Sequence, residues 1–253
     1  MLVMEQEIFT TKFVLILAWI GFGKLLTISL FTFISNLPSK QKLRVYDFKA
    51  SQEQTVRELK SSLLVITDPI VLALLVWLKL IKFAPDSSLN ILLTVVVFLV
   101  WAELWFYWSH RLMHDQDWLW KIHRHHHLSE IPQPLTAASF SFVEKFVFYT
   151  CSWLLFLAAV SWFIPISLYG IVAFYSYYFI TSPIAHSNTE LSSHILSKLP
   201  WGLGGIIGTA TGHAIHHAES NVNYGFITTV LDRVFGTYQA SVKTTELNLV
   251  ESK

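Results

Sequence analysis

The chain has 253 residues and eleven histidines, all at or beyond position 110. Six of them fall between 110 and 127. The segment Tyr107-Trp-Ser-His-Arg-Leu-Met-His114 spaces His110 and His114 four apart, so on a helix both rings project from one face. His123, His126 and His127 follow at i, i+3, i+4, and His213, His216 and His217 repeat that spacing. His186 and His194 lie between the two triplets. His125 falls off the shared face of its neighbours and is expected against solvent or a supporting polar group. Neutral imidazole is a ligand for iron, zinc, copper and nickel. One catalytic zinc takes about three protein ligands, so eight clustered imidazoles suit two metals. A carboxylate-bridged pair of metals would draw on Glu-x-x-His pairs. No glutamate stands three residues before any histidine, and no His-Glu-x-x-His motif occurs.

The elements that must carry these side chains are apolar. Hydrophobic residues make up 53% of the chain and mean hydropathy is +0.48. Charged residues are 14%, well under the usual share of about 25%. This composition excludes intrinsic disorder and disfavours an ordinary soluble domain. A net charge of +1 gives no electrostatic case for a nucleic-acid partner. Cys151, the sole cysteine, excludes an internal disulfide and a cysteine metal cluster.

Apolar runs near the length that crosses a bilayer, about 20 residues, cover 13–34, 63–81 and 89–108. A further stretch at 146–181, broken at Pro165, reads as a helical hairpin. Lys24 sits inside the first run, and Gly21 and Gly23 beside it suggest a break that lets the lysine snorkel. Asp68-Pro69 interrupts the second run, as in a shorter re-entrant helix. The loop between the first two runs holds Lys40, Lys42, Arg44, Lys49, Arg57 and Lys60, which places it and the histidine segments on the cytoplasmic side. No cleaved signal peptide is expected. The expected fold is therefore an all-α integral membrane protein with four to five transmembrane helices. A cytoplasmic histidine-rich helical cap would hold a di-metal site. A single domain is expected over 1–253, with membrane helices in 1–94, the catalytic region in 95–240 and a tail at 241–253.

At these residues the chain resembles the fatty acid hydroxylase/sterol desaturase superfamily of membrane histidine-box di-iron enzymes. The resemblance covers about 95–240. It rests on Glu103 seven residues before His110, on the boxes 107–114, 123–127 and 213–217, on His186-Ser-Asn188, and on Asn223-Tyr-Gly225 with Asp232-Arg-Val-Phe-Gly-Thr-Tyr238. The stretch 131–140 is similar to the lathosterol oxidase (C-5 sterol desaturase) branch, although Ser141-Phe142 stands where that branch has His-Pro. Leu231 stands where the superfamily usually has tryptophan.

The resemblance implies two iron ions and O₂ as co-substrate, acting on an unactivated C–H bond of a sterol or fatty acyl chain to hydroxylate or desaturate it. It implies His110, His114, His123, His126, His127, His213, His216 and His217 as ligands, with His186 as a ninth. His194, His125, Glu103 and Asn188 are further candidates for ligation or for supporting a ligand. The aromatic residues of the later runs, Trp105, Trp153 and Tyr177 among them, are candidates to line the lipid's path. No nucleotide-binding glycine motif or fused cytochrome b5 motif occurs, so electrons would come from a separate cytochrome b5 or ferredoxin. The membrane would be endoplasmic reticulum in a eukaryote or inner membrane in a bacterium. The same histidines would also serve a zinc-dependent membrane hydrolase or a metal transporter.

Overall fold

The computed structural model of the chain describes residues 2–191 and 206–241, with side chains from residue 10 onward. Among them the chain is helical, joined by loops and three isolated bridges, with no strand. Helix α1 (Leu2–Ser35) leads to α2 (Gln52–Ser62), a short 3₁₀ turn and α3 (Thr67–Trp77). Then come α4 (Ser88–Asp115), α5 (Asp117–His127), a 3₁₀ turn at Pro134–Ala138, a π-helix at Glu144–Cys151 and α6 (Ser152–Val160). Helices α7 (Leu168–Ala185), α8 (Ala210–Glu219) and α9 (Val230–Val234) complete the described part.

Small hydroxyl residues start the helices that matter to the site. Ser51, Ser87, Ser167 and Thr209 each accept a backbone N–H from the first turn of α2, α4, α7 and α8, satisfying a donor with no partner inside its helix. Among the described residues three helical segments are long and apolar enough to cross a membrane: Thr10–Ser35, Gln52–Trp77 and Ser88–Asp115. Large apolar side chains are exposed along their outer faces, among them Leu15, Phe22, Leu26, Leu74, Leu92 and Val100. Such a surface belongs against lipid rather than water. The hairpin expected at 146–181 exists, but its two arms are not among the three segments of spanning length and hydropathy. Its turn lies at the end of α4 away from the histidines, where Ala84 N–H donates to the Ile166 carbonyl.

Helix α7 is the centre of the bundle, packed on α1 and α4. A Cβ added to Gly170 would lie 2.5 Å from Thr94 Cβ, so the glycine is what lets α7 approach α4 so closely. Phe98, Trp153, Leu157, Phe174 and Phe179 fill the core, with the Phe98 and Phe174 rings 5.0 Å apart.

The structure corrects two readings. Helix α1 runs unbroken through Gly21 and Gly23. Lys24 does not snorkel: it is 3% exposed and its Nζ donates to Tyr178 Oη on α7 at 3.1 Å. With no water to take over a broken backbone hydrogen bond, lipid favours an intact helix even across glycine. Asp68-Pro69 does not end its span: the helical run continues from Gln52 to Trp77, tightening to a 3₁₀ turn over Leu63–Ile66 just before the proline. Asp68 instead accepts from Lys145 Nζ at 2.6 Å and from Thr150 Oγ1.

Candidate metal centre

Helix α4 continues past the apolar run to Asp115, so His110 and His114 ride on the end of a membrane-length helix. A break at Gln116 turns the chain into α5, which lays His123, His126 and His127 against them. Helix α8 brings His213, His216 and His217, and the C-terminal end of α7 brings His186.

Nine imidazoles converge in two groups. His110, His114, His123, His127 and His216 form one, and His126, His186, His213 and His217 the other. Within each group the ligand nitrogens lie within 4.8 Å of one another. Each His-x-x-His-His triplet is divided between the groups. On α5, His126 goes to the second group and its two partners to the first; on α8, His216 goes to the first and its two partners to the second. The His127 and His217 rings stack across the boundary, 4.7 Å apart. His194 lies outside the described residues.

Hydrogen bonds fix which nitrogen faces inward. His110 Nδ1 donates to the Tyr224 carbonyl at 2.8 Å, and His126 Nδ1 to that of Ser139 at 3.0 Å. His186 Nδ1 donates to the Ser182 carbonyl and His216 Nδ1 to that of Val222, both at 2.7 Å. His123 Nδ1 donates to Glu144 Oε1 at 2.7 Å. With Nδ1 protonated, each of these rings keeps its lone pair on Nε2. The Nε2 atoms of His110 and His123 then face each other at 3.1 Å, lone pair to lone pair. That contact repels unless a cation draws on both. His114 Nε2, His127 Nδ1 and His217 Nδ1 are buried without a hydrogen-bond partner among the described residues. Burial holds His123, His126, His127, His213 and His217 well below the ordinary imidazole value of 6.5. It also lowers His186 to about 3 and His216 to about 4. A buried set of neutral imidazoles with converging, unpartnered nitrogens fits a pair of transition-metal ions.

The carbonyls that orient the rings are themselves held. Asp232 accepts the Tyr224 and Gly225 N–H groups, each at 2.8 Å, and the Thr237 hydroxyl at 2.7 Å. Asn223, in the left-handed region at φ +54°, donates to the Gly212 and Gln239 carbonyls. The 223–238 motifs are therefore the clamp that fixes the Tyr224 oxygen over His110. Ser139 follows a turn anchored by buried Glu58, which accepts from Gln54, Gln133 and Thr136.

The remaining candidates sit elsewhere. Glu103 reaches neither imidazole group. Its carboxylate accepts the N–H and hydroxyl of Thr228, tying α4 to the same clamp. Asn188, at φ +50°, accepts Tyr46 N–H and donates to the Tyr46 and Phe48 carbonyls, so it staples a loop. His125 pairs with Ser61 Oγ on α2 at 2.8 Å. Trp153 lies in the core, Trp101 and Trp105 stack on each other, and Tyr177 borders an apolar cavity. Sequence reasoning missed Glu144 and Glu58. No spacing rule points to either: Glu58 sits in the polar stretch 52–62 and reads as a solvent-facing acid, and the only hint for Glu144 was an acid beside the apolar run at 146–181.

Comparison with known proteins agrees with this geometry. The sequence model of the family described as fatty acid hydroxylase matches residues 95–237, which holds all nine grouped histidines. The chain is 27% identical over 153 residues to the very-long-chain aldehyde decarbonylase GL1-4 of Oryza sativa, covering 57% of this chain and 25% of that protein. It is 27% identical over 136 residues to CER1-like 1 of Arabidopsis thaliana, covering 54% and 22%. It is 25% identical over 146 residues to the very-long-chain aldehyde decarbonylase CER1 of the same plant, covering 56% and 23%. The chain thus spans about a quarter of the length of these relatives. No solved structure matches it. With more than half of its length matched, this chain belongs to the fatty acid hydroxylase family, within the fatty acid hydroxylase/sterol desaturase superfamily.

Proposed function

We propose that the chain is an integral-membrane di-iron oxidoreductase. It uses O₂ and electrons from a separate carrier to transform a long-chain acyl lipid. The observation that carries this reading is the pair of all-imidazole groups at one end of membrane-length helices. When bound, two irons would supply O₂ activation and hydrogen abstraction from the lipid. His110, His114, His123, His127 and His216 would hold one ion, and His126, His186, His213 and His217 the other. Glu144 and the carbonyls of Ser139, Ser182, Val222 and Tyr224 keep the Nδ1 protons in place, so that Nε2 stays free to ligate.

The substrate reading rests on the site's surroundings and on the relatives. An apolar cavity of about 310 Å³ lies between α1 and α7, bordered by Phe31, Tyr177, Ile184, Ala185, Phe226 and Ile227. Phe226 in its wall lies 6.5 Å, ring to ring, from His186, so a chain lying in this cavity would end near the second imidazole group. The aldehyde decarbonylase names of the relatives favour an acyl chain, or the aldehyde derived from it, over a sterol. The basic 40–60 loop supports placing the centre on the cytoplasmic face, where a cytochrome b5 or ferredoxin can reach it.

The test is metal and product analysis of the full chain purified in mild detergent from iron-replete cells. About two irons per chain are expected, lost in His126→Ala/His216→Ala. Lipid extracts should show strictly O₂-dependent products. A mass gain of one oxygen marks hydroxylation, a loss of two hydrogens desaturation, and a shortened hydrocarbon removal of the carbonyl carbon. Turnover that persists without O₂ in a protein holding only zinc would refute the oxidase and establish a hydrolase.

A further inference from the structure

A second cavity, of about 210 Å³, opens at the C-terminal end of α1. Its walls are Thr32, Ser35 and Asn36 of α1 and the residues just after it, Arg44, Lys49 and Ala50 of the following loop, residues 131–134, and residues 187–189. The lining holds two cations, several hydroxyl and amide groups, and no carboxylate. Three features make it a built site rather than a patch of basic surface.

First, the loop that brings the cations is fixed. Arg44 and Thr189 form a backbone bridge, Glu190 N–H donates to the Leu43 carbonyl, and the Asn188 side chain holds Tyr46 and Phe48. Second, Ser35 is 6% exposed and its hydroxyl oxygen has no hydrogen-bond partner among the described residues. A buried hydroxyl without a partner is costly and calls for one. Third, the cavity adjoins the metal centre through the chain itself, since Ser187 in its wall follows His186. The positive-inside rule accounts for basic residues in this loop. It does not account for two of them bordering an acid-free cavity beside a buried, unsatisfied hydroxyl.

We infer that this cavity binds a phosphate-bearing anion, the headgroup of an anionic phospholipid, beside the metal centre. Arg44 offers a planar fork that matches two phosphate oxygens, Lys49 adds a point charge, and Ser35 donates its hydroxyl. Basic pockets between membrane helices on the cytoplasmic side take lipid headgroups by this chemistry.

The experiment is native mass spectrometry of the full chain in detergent, titrated with phosphatidylglycerol, with diacylglycerol lacking phosphate, and with inorganic phosphate. One phosphatidylglycerol per chain is expected, retained at least about tenfold better than diacylglycerol. Arg44→Ala/Lys49→Ala should lose that preference. Lys40→Ala/Lys42→Ala, which removes the same charge from the same loop outside the cavity, should keep it. Ser35→Ala should weaken retention by about threefold, and Arg44→Lys should restore part of what Arg44→Ala loses. Metal content unchanged from wild type shows that the variants fold. Should Arg44→Ala/Lys49→Ala lose its metal, Ser35→Ala decides alone, because deleting one hydroxyl leaves the packing intact. Inorganic phosphate that binds and strips the lipid would identify a soluble phosphate as the ligand at the same site. Equal retention of diacylglycerol, or equal losses in the two double variants, would overturn the inference and leave a diffuse basic surface.

Discussion

Removing the Glu144 carboxylate is the sharpest perturbation of the centre that leaves every imidazole in place. Glu144 is fully buried and accepts His123 Nδ1–H at 2.7 Å. In Glu144→Ala that N–H remains buried with no acceptor, a loss of about 1–3 kcal/mol. The ring is then free to change tautomer or rotate, and either movement takes its lone pair away from the position opposite His110 Nε2. Because about 1.4 kcal/mol corresponds to tenfold, metal affinity should fall about 10–100-fold, the usual effect of losing such a partner. Glu144→Gln keeps an acceptor oxygen and should fall between wild type and alanine. The assay is competition with a graded series of chelators, reading metal retained per chain, with the thermal midpoint of the metal-free protein measured in parallel. Only His123 should be disturbed, so the second imidazole group should hold its ion and stoichiometry should drop towards one. Wild-type chelator resistance in Glu144→Ala would refute the argument that Glu144 positions His123 for ligation.

Lys145→Ala strands Asp68 inside the bundle and should cost about 3–5 kcal/mol, read as a lower thermal midpoint in detergent, whereas Asp68→Leu/Lys145→Met should recover most of it. A Cβ on Gly225 would collide with the Thr228 carbonyl and stand 2.7 Å from Asp232 Oδ2. Gly225→Ala should therefore loosen the clamp over His110 and lower metal retention; unchanged retention would show that the clamp does not hold the ring. In the metal-free protein, His216 at about 4 and His186 at about 3 stay neutral while the unfolded chain takes up protons below about 6.5. Stability is thus complete above pH 6.5 and falls as pH drops from there to about 4 for the first and about 3 for the second, by about 1.4 kcal/mol per pH unit for each ring. A thermal midpoint that does not move between about pH 7 and about pH 5 would contradict this burial.

The nine grouped histidines were legible in the sequence because their spacing is a local property of a helix, and three segments supplied eight of them. How each triplet divides between the two groups was not legible, since that depends on how α5 and α8 face each other across a contact about 90 residues apart in sequence. Glu144 was hidden for the same reason: its partner lies 21 residues away and no periodicity connects them. The glycines of α1 misled because a break and a close approach leave the same mark. Here Gly21 lies against Pro69, and Gly23 is crowded by Trp19 and Phe179, so both serve helix packing. Glu103 and the 223–238 motifs were recognisable as a pattern. Their task of holding carbonyls over the rings appears only once Thr228, Asp232 and Tyr224 are seen together.

The pairing of Lys24 with Tyr178, and of Asp68 with Lys145, also sets an order of biogenesis. Tyr178 is synthesised 154 residues after Lys24, and Lys145 77 residues after Asp68. On insertion scales a lone lysine at mid-span costs about 2.5–3.5 kcal/mol. The N-terminal helices therefore enter the bilayer carrying groups that only later segments can satisfy. Until the segments that carry Lys145 and Tyr178 arrive, Asp68 and Lys24 lack the partners they have in the finished bundle. Completion of the hairpin both satisfies those groups and brings in His186, while α8 and the 223–238 clamp, which finish the centre, are made last.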